Sequence, residues 1–252
     1  MEFIANGAQA DLYKNNGKAI KLFKKNISKD EIEYEMNLQK MAFELDLPVP
    51  EIYDIVEIDG KFGIIMEYID GVPIGNIIQK NKNEVIEYLT KSIEIQINLN
   101  KIIADNFPPM REKLQRKIIS VKSLDNGLKH KTLEILNKIN FNKYLCHGDF
   151  HVFNLLETKN GIKIIDWVDS SSGNSEADVC RTYLLYKMYS EEIAEMFIET
   201  YCKMTRIKKE RILNWISIIA AVKLSESIED INKIEILNRI VKKNVKSNIY
   251  FA

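Results

Sequence analysis

Two tight-turn signals in the first seventy residues constrain this chain more than anything else in it. Asn15-Asn16-Gly17 separates residues 10–14 from 18–24, and Asp59-Gly60 separates residues 52–58 from 62–68. The flanking segments are rich in Val, Ile, Phe and Tyr, so each pair of segments reads as an antiparallel hairpin. Residues 2–5 are short and partly apolar and read as a further strand. Residues 30–46 read as a helix. Ser28 is placed to cap it, and Glu31, three positions later, completes a capping box. Ile32, Met36 and Phe43, beside Leu38, Met41 and Leu45, recur at helical spacing. Leu47-Pro48-Val49-Pro50 ends the helix, because proline cannot continue it. The order is three strands, one helix, two strands.

Gly71, Pro73 and Gly75 then break the pattern and mark a boundary. From residue 77 the periodicity is helical, over 84–104, 111–121 and 128–139, and again from 178 onward. One irregular, strand-like insert, residues 144–168, interrupts it. The expected organisation is an α+β chain of two parts: residues 1–70, sheet-rich with one helix, and residues 71–252, mainly helical. No internal repeat is visible.

Charge narrows the functional classes. Lys+Arg and Asp+Glu both number 36, so the formal net charge is zero, which argues against a dedicated nucleic-acid binder. The zero is a sum of unequal parts. Residues 1–70 hold 8 Lys+Arg against 14 Asp+Glu, and residues 201–252 hold 11 against 5. No apolar run approaches the length of about 18 residues that a membrane helix needs. The first residues have neither the basic nor the apolar region of a secretory signal. Cys146, Cys180 and Cys202 form no CxxC, so neither a disulfide framework nor a zinc knuckle is implied. The expectation is a cytoplasmic protein with no membrane and no nucleic-acid partner.

The chemistry lies in the insert. It reads Cys146-His147-Gly148-Asp149-Phe150-His151-Val152-Phe153-Asn154, then Ile164-Ile165-Asp166-Trp167. Asn160-Gly161 lies between two apolar runs and suits a two-residue hairpin turn. In that register Leu155 faces Asp166, and Asn154 lies beside Asp166 although they are twelve residues apart. An amide oxygen and a carboxylate at hairpin ends are suitable hard ligands for Mg²⁺. Asp149 sits just upstream in a glycine-containing loop. Three oxygen-bearing side chains at one place suggest phosphoryl transfer, which needs a metal to neutralise phosphate charge and a carboxylate for the attacking hydroxyl. It also needs a cation on the nucleotide phosphates. Lys21, alone in the apolar strand Ala19-Ile20-Lys21-Leu22-Phe23, is placed for that, with a carboxylate of the following helix as its partner.

His147-Gly148-Asp149, four residues, Asn154, then Ile165-Asp166-Trp167 resembles the signature of the aminoglycoside-phosphotransferase-like kinases. Gly63-Ile64-Ile65-Met66-Glu67 and Asp178-Val179-Cys180-Arg181-Thr182 are similar to further segments of that family, in the same order. The resemblance covers most of the chain. It implies a bilobal protein-kinase-like fold, with a small antiparallel β-sheet lobe and a larger helical lobe. It implies an enzyme that moves the γ-phosphate of ATP or GTP to a hydroxyl of a small molecule, with Mg²⁺ as cofactor. Carried over position by position, it makes Asp149 the catalytic base and Asn154 and Asp166 the metal ligands. Lys21 would contact the α- and β-phosphates, with Glu35 as its helix partner and Glu33 the second candidate. The backbone of Glu67 and Ile69 would bind the base, with Met66 behind it, and Gly7 would lie in the loop over the phosphates. Asp178 and Arg181 would brace the site.

The chain departs from that pattern in places. Only Gly7 stands where a glycine-rich loop is expected, and Val152-Phe153 stands where many relatives have Pro-Gly. His147 and His151 suggest a metal pair, but Gly148 breaks the helix that HxxxH geometry needs. His147 reads as a loop brace. A polycationic acceptor would favour Glu226, Glu229 and Asp230, or Glu191, Glu192, Glu195 and Glu199, but the basic C-terminal balance speaks against it. Trp167 and Tyr183 read as core packing. The alternative to an enzyme is a nucleotide-binding pseudokinase that regulates a partner.

Overall fold

A computed structural model describes residues 1–226 and 228–246. Residues 227 and 247–252, which the second expected part includes, lie outside the described residues. By contacts the chain divides into two compact units: Met1–Val85 with Val152–Asp169, and Ile86–His151 with Ser170–Ala252. Among the described residues no helix is long and apolar enough to cross a membrane.

The first unit opens with β1 (Glu2–Asn6), β2 (Ala10–Asn15), β3 (Lys18–Phe23), α1 (Lys29–Glu44), β4 (Ile52–Ile58) and β5 (Lys61–Glu67). The strands form one antiparallel sheet in the order β1-β2-β3-β5-β4. Both early turns form as the sequence suggests. Asn15 pairs with Lys18 across Asn16 at φ 48° and Gly17 at φ 76°. Ile58 pairs with Lys61 across Asp59 at φ 51° and Gly60 at φ 70°. Two successive left-handed residues give the tight turn whose twist matches the strands it joins.

The capping box of α1 also forms. The Glu31 N–H donates to the Ser28 hydroxyl at 3.3 Å, and the Ser28 N–H donates to the Glu31 carboxylate at 2.8 Å. Ile32 on this helix joins Ala10, Phe23, Ile52 and Ile64 in the buried core under the sheet.

The unit continues through β6 (Val72–Pro73) and α2 (Ile74–Lys80). After β7 (Tyr144–Cys146), which belongs to the second unit, the chain returns with β8 (Leu155–Thr158) and β9 (Gly161–Ile164). The division is thus discontinuous, unlike a single cut near Gly71. Its cause is local packing. β8 pairs with β6, the Ile164 N–H donates to the Pro48 carbonyl at 2.8 Å, and the turn Trp167–Asp169 packs on α1.

The β8–β9 hairpin corrects the register read from the sequence. Thr158 pairs with Gly161 and Leu155 with Ile164, two residues from the expected Leu155–Asp166 pairing. Gly161 is left-handed, at φ 111°, and Asn160 is not. The Thr158 hydroxyl accepts from the Asn160 N–H at 3.1 Å and donates to the Gly161 carbonyl at 2.7 Å. That hydroxyl closes the turn one residue early, so the Asn-Gly pair never forms its usual two-residue turn.

The second unit is built from α3 (Val85–Leu99), which begins at the boundary, then α4 (Met110–Ser120) and α5 (Asn126–Asn137). After β7 and β10 (Ser171–Gly173), which pair antiparallel, come α6 (Ser175–Lys187) and α7 (Glu191–Thr205). The unit ends with α8 (Lys209–Leu213), α9 (Ile216–Lys223) and α10 (Ile231–Lys246). Leu89, Ile93, Ile118, Leu136, Phe197 and Ile218 are buried in its core. α6 is buried on nearly every side. Asp178, on α6, is 2% exposed. Its Oδ1 accepts the Gly148 N–H at 2.7 Å, and its Oδ2 accepts from Gln96 Nε2 at 3.1 Å and Asn100 Nδ2 at 3.2 Å.

Two substitutions test these features. Ser28→Ala should lower stability by about 1 kcal/mol in a urea melt, while Ser28→Asn keeps most of it. Asp178→Ala strands three buried donors and should cost about 3 kcal/mol; an unchanged unfolding midpoint would show that other groups hold the Gly148 loop.

Candidate active site

In the first unit, β3 presents Lys21 between Leu12 of β2 and Ile64 of β5. Its Nζ lies 2.5 Å from Glu35 Oε1 and 3.5 Å from Asp166 Oδ1. Glu35 is 5% exposed on the inner face of α1. The other sequence candidate, Glu33, pairs at the surface with Lys29 at 3.4 Å. Burial alone would lower the Lys21 pKa, but the negative charges of Asp166 and Glu35 outweigh it and hold the ammonium above its ordinary value. Burial disfavours the charged form of Glu35, and Lys21 opposes that, so the carboxylate depends on its lysine.

The metal-ligand candidates lie in the same unit. Asp166 lies two residues past the end of β9, in left-handed backbone at φ 66°, which re-aims the chain at that residue. The Ile165 N–H donates to the Asn154 carbonyl at 3.0 Å. The shifted hairpin register therefore still brings Asn154 beside the Asp166 end of the ladder. The donor chemistry, one amide oxygen and one carboxylate, fits a hard cation. Among the described residues no group of three or more His, Cys, Asp or Glu is placed to hold a metal by itself.

The other nucleotide candidates are placed as follows. A Cβ at Gly7 would stand 2.7 Å from the Ala10 carbonyl oxygen, so the β1–β2 turn admits only glycine there. The Gly7 N–H donates to that same oxygen at 2.9 Å. Gln39 Nε2 donates to the Pro50 carbonyl at 2.8 Å and lies 3.8 Å from the Met66 sulfur, which fixes Met66 at the end of β5. The Glu67 N–H donates to the Glu51 carbonyl at 2.8 Å, so of its two backbone groups the carbonyl is the one suited to a base. Ile69 follows β5 and is half-buried. Phe153, in the place of a smaller residue, sits against Gly75, where a Cβ would come within 2.5 Å of its ring.

The second unit holds Asp149. Its Oδ1 accepts from Arg181 Nη2 at 3.1 Å, and its Oδ2 lies 3.3 Å from His151 Nε2. Burial would raise its pKa, but the His151 hydrogen bond and the Arg181 charge more than offset that. The carboxyl is held well below the usual range. His147 is buried, and its Nδ1 accepts from the Asp149 N–H at 3.3 Å, in keeping with a loop brace. Cys146 is buried, and burial pushes its thiol well up. Trp167, in the first unit, is fully buried, and Tyr183 nearly so.

Glu226 is where sequence reasoning fell short. It reads there as a candidate for an acceptor pocket, yet its Oε1 lies 2.8 Å from Arg181 Nη2 and its Oε2 lies 2.5 Å from Lys223 Nζ. The available signal was an arginine within a helix buried on nearly every side, which requires an acidic partner. Glu195 pairs with Lys209 and accepts from the Tyr183 hydroxyl, Glu191 pairs with Lys187, and Glu176 pairs with Arg211. Glu229 and Asp230 are exposed, and Asp230 accepts from the Asn232 N–H at 2.9 Å.

The sequence matches the phosphotransferase enzyme family over residues 2–212. A curated relative, the EKC/KEOPS complex subunit BUD32 of Enterocytozoon bieneusi (strain H348), is 26% identical over 227 residues, covering 83% of this chain and 94% of the relative. A thermostable mutant of aminoglycoside phosphotransferase APH(4)-Ia, solved as a ternary complex with ADP and hygromycin B, superposes with a TM-score of 0.74 at 14% identity, covering 98% of this chain and 93% of that one. The choline kinase LicA from Streptococcus pneumoniae superposes with a TM-score of 0.66 at 17% identity, covering 95% and 92%. The chain belongs to the phosphotransferase enzyme family and has its protein-kinase-like α+β fold.

Proposed function

We propose that this chain is a kinase that moves the γ-phosphate of ATP or GTP to a hydroxyl of a small molecule, with Mg²⁺ as cofactor. The observation that carries this reading is the position of Lys21 Nζ, 2.5 Å from Glu35 and 3.5 Å from Asp166. A lysine held charged by one buried carboxylate, beside a second carboxylate suited to a metal, is what a nucleotide triphosphate requires.

The roles divide between the units. In the first, Lys21 would contact the α- and β-phosphates, and Asn154 and Asp166 would hold Mg²⁺. Bound there, Mg²⁺ would neutralise phosphate charge, with phosphate oxygens and water completing its shell. Gly7 would let the β1–β2 turn approach the phosphates, and Met66, Glu67 and Ile69 would receive the base. In the second unit, Asp149 would orient the acceptor hydroxyl. The acceptor oxygen forms the new bond to the γ-phosphorus, the bond to the β–γ bridging oxygen breaks with its electrons going to the diphosphate, and the hydroxyl proton passes to Asp149.

The pairing of the acids supports a neutral or singly charged acceptor over a polycation. Glu226, Glu195 and Glu191 each already face a cation of the chain. A second reading, a nucleotide-binding regulatory subunit, draws on two observations. Arg181 and His151 engage the Asp149 carboxylate, and one relative is a complex subunit.

Turnover separates the two readings. Asp149→Asn should lower kcat by about 10²- to 10⁴-fold with nucleotide affinity retained. Asp166→Ala should abolish the Mg²⁺ dependence of nucleotide binding measured by calorimetry. A wild type no faster than Asp149→Asn, over a panel of acceptors, would leave the regulatory reading standing. Within that panel, sugars, amino alcohols and nucleosides should be phosphorylated ahead of aminoglycosides; preference for a polycation would overturn the acceptor argument.

A further inference from the structure

Asp149 is held from one helix at two points. Its loop is fixed by Asp178, which accepts the Gly148 N–H, and its carboxylate is fixed by Arg181. Asp178 and Arg181 are three residues apart on α6 and so share a face. Arg181 has a long side chain that needs a second anchor to keep one position. Glu226 supplies it. The same nitrogen, Arg181 Nη2, lies 3.1 Å from Asp149 Oδ1 and 2.8 Å from Glu226 Oε1. Glu226 is in turn tied by Lys223 at 2.5 Å, and its own N–H donates to the Lys223 carbonyl at 3.1 Å. Arg181 has 8% of its side chain exposed, against 27% for Glu226. A charge so well buried is costly to leave loosely held, and α6 packs on α9, whose last residue is Lys223.

We propose that Glu226 is a positioning residue for phosphoryl transfer: held by Lys223, it fixes the Arg181 guanidinium, which fixes Asp149. This rests on the reading of Asp149 as the group that receives the acceptor hydroxyl. The titratable and charged groups that face Asp149 are Arg181 from α6 and His151 and His147 from its own loop, with Asp178, Glu226 and Lys223 behind them. An ordinary half-exposed Lys–Glu pair would contribute little and leave Asp149 unaffected.

The test is a carboxyl ¹³C NMR titration of Asp149 in the full chain, for wild type, Arg181→Gln, Glu226→Gln and Glu226→Asp. Removing the Glu226 charge by itself lowers the Asp149 midpoint, because a neighbouring negative charge is lost. Release of the guanidinium raises it. The relay therefore requires a rise in Glu226→Gln, smaller than that in Arg181→Gln, with partial recovery in Glu226→Asp. It also requires kcat to fall about fivefold or more in Glu226→Gln with nucleotide KM within about twofold, and no further fall when Asp149→Asn is already present. An Asp149 midpoint that stays or drops in folded Glu226→Gln overturns the proposal; if that variant does not fold, Glu226→Asp is read the same way. A wild type no faster than Asp149→Asn sinks the kinase reading instead, and the midpoint alone then decides the relay.

Discussion

The second unit depends on how one buried carboxylate is satisfied. Asp178 has no cation among its close partners in this unit. Its oxygens are met by the backbone of Gly148 and the side-chain amides of Gln96 and Asn100. Neutral donors from α3 and a loop thus converge on α6, and Asn100 extends the network to the Leu145 carbonyl on β7 at 2.9 Å. A carboxylate buried this way is tolerable only when donors meet its oxygens, so losing one of these donors is costly. Gly148, at φ 79°, lets the loop turn so that its N–H reaches the carboxylate. The position of Asp149 follows directly, one residue further on.

The first unit solves a different problem with opposite means. Lys21 lies on a sheet whose core is apolar, and its charge is kept by two carboxylates, one from α1 and one from the far end of a returning hairpin. The capping box fixes where α1 begins, and Glu35 falls one turn beyond Glu31, on the inner face. The return of residues 152–169 to this unit is what brings Asp166 to the lysine. The Ile164–Pro48 hydrogen bond and the packing of residues 167–169 on α1 hold the segment that carries this carboxylate. The discontinuity in the chain is what joins the lysine to the metal-ligand candidates.

Local chemistry was legible and non-local charge pairing was not. Asn16-Gly17 and Asp59-Gly60 specify their turns because both residues of each pair tolerate left-handed backbone, and the Ser28–Glu31 box needs only three residues of spacing. The same logic misplaced the β8–β9 turn, because Thr158 offered a side-chain hydroxyl that competes with the Asn-Gly turn and costs no second left-handed residue. Asn154 and Asp166 were nonetheless brought together, since a register shift of two keeps every side chain on its own face. Arg181 and Glu226 are 45 residues apart, one on α6 and the other in the bend after α9, a juxtaposition that no local pattern encodes. Glu226 therefore looked like one acid in a solvated cluster. The charge asymmetry of the first seventy residues has no such local explanation in the ion pairs of the sheet.

The low proton affinity of Asp149 is consistent with phosphoryl transfer and need not point to a dead site. A strong base is useful where proton removal leads the reaction. In a loose transition state the bond to the leaving oxygen is largely broken before the acceptor oxygen gains much bonding, so its proton becomes acidic late. What the early reaction needs is direction: a carboxylate with one oxygen immobilised and a fixed plane. Arg181 on Oδ1 and His151 near Oδ2 impose that plane, and the same contacts lower the basicity as an unavoidable consequence. Orientation and proton affinity are therefore opposed in this site, because the guanidinium that holds the carboxylate in place also lowers its basicity.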